Sequence, residues 1–427
     1  MNSSITLLTL TLVIALASLS HSQRPTPNPE TRNPKPETRN PTVLDFGAKA
    51  DSTTDDTPAF QLAIDTLSKS GGGSLFVPTG NYLIKSHLTV AQNVTLQGVF
   101  HAPTARTQNK GSTLLAIENA GGLDGTPFIT LHSNAALKGL TIFYPNQSAD
   151  EPKPYPWTVR GNGDNCTIRD CLFVNPYAAV DFGTLPAGRH LIDGLYAQAL
   201  YRGIFIDKCF DVGRINNVHL WPFWSTSSKL MKWTEQNGVA FTIARTDWEY
   251  MSNCFCISYK IGYHFLALKD GPGNAVLSQC GSDIGPTAVL IDDTQSHAGV
   301  SFVNGQFMAG IRVSPTNTGP VKFTACGFWG VQNVTTHHAL LEGKAQTSFV
   351  NCHFISWDQQ KTNAPAILAR KGGLTVTACD FMDQGKNQIT LEKDVESAII
   401  TSNRLRGGIK ITNTSPADPQ IALNTAR

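Results

Sequence analysis

Six acidic side chains carry the densest chemical promise in this sequence. Asp181, Asp207, Asp247, Asp270 and Asp293 each end or follow a short apolar run, in AAVDFG, GIFIDKC, FTIARTDWEY, FLALKDG and VLIDDTQ. Glu249 follows Asp247 closely. The last three aspartates are separated by equal steps of 23 residues. If each step is one turn of a coil, and strands stack at roughly 4.8 Å, like carboxylates lie roughly 5 or 10 Å apart. Those separations bracket the two geometries of glycoside hydrolysis: close for a covalent nucleophile, wider when water must fit between. Two acids this close also push one pKa upward, which makes a proton donor at neutral pH. Asp207 and Asp247 are the first acid–base pair, with Asp270, Asp293 and Glu249 as substitutes. The plainer alternative is a set of solvated aspartates at strand ends, where turns favour them.

Aromatic and basic groups share the region. The stretch WPFWSTSSKLMKWTEQNG, Trp221 to Gly238, holds Trp221, Trp224 and Trp233, three of the seven tryptophans. Rings of this kind suit the apolar faces of sugars and leave an N–H for hydroxyls. Trp248 and Tyr250 flank the acids and extend the expected platform. Packing of these rings over a coil wall is the competing reading. A lyase or epimerase would instead need a cation for a uronate carboxylate and a base for the C5 proton. Arg202, Arg245 and Lys269 could supply the charge, with His219, Tyr201 or Tyr250 as base. Arg245 and Lys269 each also neighbour an aspartate in sequence, so mutual neutralisation competes with that role. A Ca2+ ion held by the aspartates through oxygen ligands is a candidate cofactor. Cys254-Phe255-Cys256 has the wrong spacing for a zinc site, and no matching Cys/His pair follows it.

The elements that must position these groups are written in a recurring six-residue pattern: apolar, any, small polar, Cys or small, any, aromatic or aliphatic. Its copies begin at Leu137, Ile168, Leu191, Ile215, Met251, Leu277, Phe302, Phe323, Phe349, Val376 and Ile400. The fourth positions are Leu140, Cys171, Gly194, Val218, Cys254, Cys280, Gly305, Cys326, Cys352, Cys379 and Asn403. Most lie roughly 21 to 27 residues apart, the period of a stacked repeat. Each copy is short, alternating, and rich in β-branched and aromatic residues, as a strand is. The economical solution is an all-β parallel β-helix with like positions stacked in columns. Cys254, Cys280, Cys326, Cys352 and Cys379 then become small buried column residues, since free cysteine packs as a compact apolar side chain. A Cys166–Cys171 disulfide remains open. Val218 to Cys254 spans 36 residues, and the excess falls on residues 221–238, read as a functional loop on a rigid scaffold.

Residues 42–90 form a start module. A helix is expected after DSTTDD, with Thr57 as N-cap, Pro58 at N1 and Gly71 at C′. It would cover the otherwise open end of the solenoid. This segment, VLDFGAKADSTTDDTPAFQLAIDTLSKSGGGSLFVPTGNYLI, resembles the N-terminal signature of the rhamnogalacturonase/epimerase-like pectate lyase family. The resemblance implies a right-handed parallel β-helix of the pectin-lyase type and action on polysaccharide, by hydrolysis, elimination or epimerisation. It assigns no catalytic residue. The Asn-Thr-Asp, Gly-Asp-Asp, Gly-His-Gly and Arg-Ile-Lys series of polygalacturonase-type hydrolases is absent in order, and Asp292-Asp293 follows Ile291 rather than Gly.

Composition is consistent with this architecture. The chain has 427 residues, 15% of them charged, with a net charge of +2, which argues against nucleic acid or an anionic membrane as main partner. Residues 1–22 read as a secretory signal, with an uncleaved anchor as the alternative, and 23–41 as a Pro-rich linker. The domain is expected over 42–427, secreted or periplasmic, and off the membrane once the signal is cleaved. The reading is a carbohydrate-active enzyme binding an extended polysaccharide, first a glycoside hydrolase, then a uronate lyase or epimerase, then a non-catalytic glycan-binding β-helix.

Overall fold

The computed structural model describes residues 40–103, 110–332 and 334–426. The expected signal segment, and all of the expected linker but its last two residues, lie outside the described residues. From Asn40 onward the chain forms one unit. All strand ladders are parallel apart from one isolated bridge, and they resolve into three columns. Among the described residues no helix is long and apolar enough to cross a membrane.

Sheet B stacks the first positions of the repeat. Leu137 pairs with Ile168, then Ile192, Ile215, Met251, Leu277, Phe302, Phe323, Phe349, Val376, Ile400 and Ile421. One copy differs from the sequence reading. Ile192, not Leu191, occupies the first position, so Leu195 fills the fourth and Gly194 the third. The reason is conformational. Every third position from Gly139 to Leu423 is left-handed, with φ between 50° and 73°, and Gly194 accepts that conformation freely. This one residue turns the chain from sheet B into sheet C, the column in which Leu172, Tyr196, His219, Phe255 and Gly281 pair in turn.

The turn interrupts the ladder, and where the fourth residue is Cys or Asn its side chain repairs it. Cys379 Sγ donates to the Phe349 carbonyl of the previous coil at 3.5 Å and accepts from the Cys352 N–H at 3.4 Å. Asn403 makes the same pair of contacts with its amide, to the Val376 carbonyl and from the Cys379 N–H, both at 2.9 Å. A small side chain with both a donor and an acceptor satisfies buried backbone groups here. All nine cysteines are free and buried, which rules out the Cys166–Cys171 bridge. Burial pushes the Cys171 thiol up to about 12, so it stays a thiol.

Inside the coil, aromatic residues stack rung on rung. Phe302, Phe323 and Phe349 lie 4.8 and 5.2 Å apart with nearly parallel rings. Phe328, Phe354 and Phe381 continue a second stack at 4.9 and 4.7 Å. The strand repeat itself imposes these separations, and the rings meet in an arrangement that aromatic pairs favour when offset.

Among the described residues, two α-helices interrupt the strands. The first, α1 (Thr57–Lys69), buries Phe60, Ala63 and Ile64 against the first coils. Its N-cap is Asp56 rather than Thr57, and Asp56 makes no cap bond because its carboxylate accepts from the Lys49 and Ala50 N–H groups. Gly71 takes the left-handed C′ position as expected. The second, α2 (Ser228–Asn237), replaces the loop expected at 221–238. Ser227 caps it by accepting from the Leu230 N–H at 3.2 Å.

The exposed turn residue Asn351 isolates the cost of the left-handed column, since its own side chain is at the surface. Asn351→Val is expected to lower stability by about 1–2 kcal/mol, whereas Asn351→Gly is neutral or stabilising. Urea unfolding followed by circular dichroism compares the two; equal midpoints would contradict this account of the corner.

Candidate functional site: a groove on sheet A

Sheet A is the third column, and its outward side chains define a wall. In register they are Arg160, Asp181, Phe205, Thr242, His264, Leu290 and Arg312. Alternation puts Val180, Ile204, Phe241, Tyr263 and Val289 inward on the same strands, which is why polar groups emerge here. A groove of about 490 Å³ opens across the wall, lined by Trp157, Arg202, Phe205, Thr242, Lys260 and His264 among others.

Arg202 is fixed before any ligand arrives. Its guanidinium carbon lies 3.5 Å from the centroid of the Tyr201 ring, and Nη1 donates to the Tyr201 and Asn237 carbonyls at 3.0 and 3.1 Å. Asn237 is the last residue of α2, so the insertion positions this cation. Trp233 on the same helix packs against Tyr177 and Tyr201, 5.9 and 6.1 Å between centroids. Burial lowers the Arg202 pKa from its ordinary value. Two rungs along, His264 Nε2 lies 2.7 Å from Asp292 Oδ2, and Ser314 Oγ donates to Asp292 Oδ1 at 2.5 Å. The carboxylate therefore orients the imidazole, and a hydroxyl on the next coil orients the carboxylate.

The acids named from the sequence do not form one ladder. Equal steps of 23 residues are not equal rungs, because the strand ends Ile243, Phe265 and Ile291 are separated by 22 and 26 residues. Asp247 lies four residues beyond its strand end, Asp270 five and Asp293 two, each at a different depth of the corner after sheet A. Asp207 is 4% exposed and accepts the Arg245 N–H at 3.0 Å. Asp247 makes a two-pronged pair with Arg245, at 2.9 and 3.0 Å, and accepts from Gln295. Asp293 accepts from the N–H and hydroxyl of Thr318. Asp270 and Lys269 sit in an exposed turn. Asp181 is enclosed and paired with Arg160 at 2.6 Å. Glu249 is wholly buried, bound to His190 at 2.9 Å, and faces no groove. No group of three of these aspartates converges on a common point suited to a cation among the described residues.

The expected aromatic platform is likewise spread over several walls. Trp221 stacks on His219 at 4.1 Å on the outer face of sheet C, with Tyr196 and Phe255 on neighbouring rungs. Trp224 joins that cluster. Tyr250 points outward from sheet B, and Trp248 stands exposed at the corner between sheets A and B. Of the proposed binding residues, the structure places Arg202 in the sheet A groove. Sequence reasoning missed His264, Asp292, Lys260 and Trp157. The alternation of IGYHF, with Ile261 starting and Tyr263 and Phe265 facing inward, was the available signal for an outward His264.

Residues 40–149 match the family model described as Rhamnogalacturonase A/epimerase, pectate lyase-like. Mannuronan C5-epimerase AlgE6 of Azotobacter vinelandii is 33% identical over 107 residues, 23% of this chain and 12% of that protein. The Aspergillus oryzae protein named "Probable rhamnogalacturonase A" is 31% identical over 116 residues, 26% of this chain and 23% of that one. This chain thus spans less than a quarter of either relative. The solved A-module of AlgE6 aligns over 91% of this chain and 99% of its own length, with a TM-score of 0.52 and 13% identity, a likeness of fold. The chain therefore carries the rhamnogalacturonase A/epimerase, pectate lyase-like sequence over residues 40–149, on a parallel β-helix that extends through the rest of the described residues.

Proposed function

We propose that this protein acts on a uronate-containing polysaccharide in the sheet A groove and removes the C5 proton of a bound uronate. The observation that carries the reading is the joint placement of a carboxylate-oriented imidazole, His264, with two cations, Arg202 and Lys260, in one groove. Asp292 holds Nε2 of His264 as the donor nitrogen, which leaves Nδ1 as the base. Arg202 and Lys260 offset the uronate carboxylate, whose negative charge grows as the C5 proton leaves. Trp157 and Phe205, stacked at 6.3 Å, offer an apolar surface for sugar faces. Elimination then forms the C4–C5 double bond as the C4–O bond breaks, the departing O4 taking a proton from water, whereas in epimerisation water on the opposite face returns a proton to C5. In both cases the proton held by His264 passes to solvent. The epimerases among the relatives support this class of reaction, and the rhamnogalacturonase keeps hydrolysis as the second reading.

A panel of polymannuronate, polygalacturonate and rhamnogalacturonan separates the outcomes. Unsaturated-uronate absorbance marks elimination. Exchange of the C5 hydrogen with solvent deuterium, without chain cleavage, marks epimerisation. New reducing ends with neither signal would overturn the proposal in favour of hydrolysis, and binding without turnover in favour of a glycan-binding role. His264→Ala is expected to lower kcat by about 10²–10⁴-fold with little effect on thermal stability. Arg202→Met should lower kcat as well as raise KM, because the charge it offsets grows in the transition state.

The corner acids give an independent check. Asp247→Asn breaks a half-exposed ion pair and should change stability by less than about 1 kcal/mol, with turnover retained. Loss of turnover in both Asp207→Asn and Asp247→Asn, with the fold intact by circular dichroism, would restore the paired-carboxylate mechanism.

A further inference from the structure

Beneath the corner between sheets A and B lies a second polar cluster, separate from the groove. His190, Gly213 and Glu249 occupy the same position on three successive rungs, because Leu191 pairs with Arg214 and Gly213 pairs with Glu249. The outer two backbones are thus roughly 10 Å apart. Their side chains nevertheless meet, His190 Nε2 to Glu249 Oε1 at 2.9 Å. They can do so because the middle rung has no side chain. A methyl group at Gly213 would collide with Glu249 Oε2 and with the His190 ring. Cys209 closes the space from the side, and one ligand atom from each of His190, Cys209 and Glu249 lies within 4.8 Å of the others. All three residues are wholly enclosed.

Two charged groups in a solenoid interior require an explanation, whereas the Cys209 thiol beside them donates to the Asp211 carbonyl at 2.7 Å in the metal-free cluster. An isolated buried ion pair is usually no better for stability than well-packed apolar residues of the same volume. The second contacts of the cluster point to one. His190 Nδ1 donates to the Ala187 carbonyl at 2.9 Å, which fixes the ring and presents Nε2 to the cluster. Metal-bound histidines are commonly held in this way. Thr246 Oγ1, 3.2 Å from Glu249 Oε2, adds an oxygen beside the three donors.

We propose that His190 Nε2, Cys209 Sγ and Glu249 form a closed structural site for a zinc ion, with the Thr246 hydroxyl or a water as fourth donor. One nitrogen, one sulfur and one carboxylate suit zinc, whereas calcium requires oxygen ligands and copper(I) requires softer ones. Charge balances on loading. The metal-free cluster holds an imidazolium, a carboxylate and a thiol. The loaded site holds the dication, a neutral imidazole, a carboxylate and a thiolate, and two protons leave to solvent. Both states are neutral, so the ion enters a buried place without leaving net charge there. Bond lengths of about 2.0–2.3 Å place tetrahedral donors roughly 3.4 Å apart, so the His190–Glu249 contact opens by roughly half an ångström. The site would clamp three coils under the corner that carries Asp207 and Asp247, and it is independent of the reaction assigned to the groove.

The test uses the full-length protein, with zinc chloride and cobalt(II) chloride as probes. About one zinc per chain should survive gel filtration, and cobalt should give a thiolate-to-metal absorption band. Chelator should lower Tm, and zinc should restore it. Cys209→Ser should lose the band and weaken zinc binding by more than the about 10–100-fold typical of losing an outer hydrogen-bond partner. If Cys209→Ser does not fold, the wild-type titration decides alone. No retained zinc, no cobalt band and a Tm indifferent to metal and chelator would overturn the proposal and leave a buried ion pair.

Discussion

Everything in this molecule depends on one constraint: each coil must leave every backbone group paired with the coil before and the coil after. Straight strands meet it without help. The sharp corner between sheets B and C does not, because a single left-handed residue there takes the chain out of register with hydrogen bonding. Where the residue that follows is Cys or Asn, its side chain restores the lost pair, as Cys326 does for Phe302 and Asn403 does for Val376. Cysteine and asparagine look unrelated in a substitution table. At this corner they are two small side chains that both give and receive a hydrogen bond. The constraint gives six of the nine thiols, Cys171, Cys254, Cys280, Cys326, Cys352 and Cys379, a place at this corner, where they stay unpaired although bridging would have been the ordinary expectation.

The same constraint decided what could be read from residues alone. The fold was legible because the corner recurs with fixed internal spacing, and the first positions from Leu137 to Ile400 stack as the pattern implies. The single slip, at Leu191, came from ranking composition above the conformation that Gly194 permits. The site was less legible. Distances along a solenoid are counted in rungs, and corner lengths vary, so Asp247, Asp270 and Asp293 drift apart despite equal steps in sequence. The alternation of IGYHF turns His264 outward but says nothing of its role, because a single outward polar residue has no partner within its own strand. Its partner Asp292 belongs to the next coil, 28 residues on.

Glu249 and His190 show the limit most clearly. They are 59 residues apart in sequence and meet only because Gly213 lies between them on the middle rung. Local motif spacing cannot see a set of donors contributed one per coil. The tryptophans make the complementary point. Trp221 and Trp233 belong to one insertion, yet they serve different walls, one lying on sheet C and the other bracing Arg202 beside sheet A.

The three corners of the coil are unequal in what they tolerate. The B-to-C corner admits one residue of one conformation, and lengthening it would strand its repaired hydrogen bonds. The C-to-A corner already accommodates a whole helix, α2, without disturbing the rungs on either side. New specificity can therefore be grafted where sheet A begins, one coil at a time, while the opposite edge of the prism serves as an invariant spine. Residues added at that corner change the rim of the sheet A groove while the strands that form its floor keep their register.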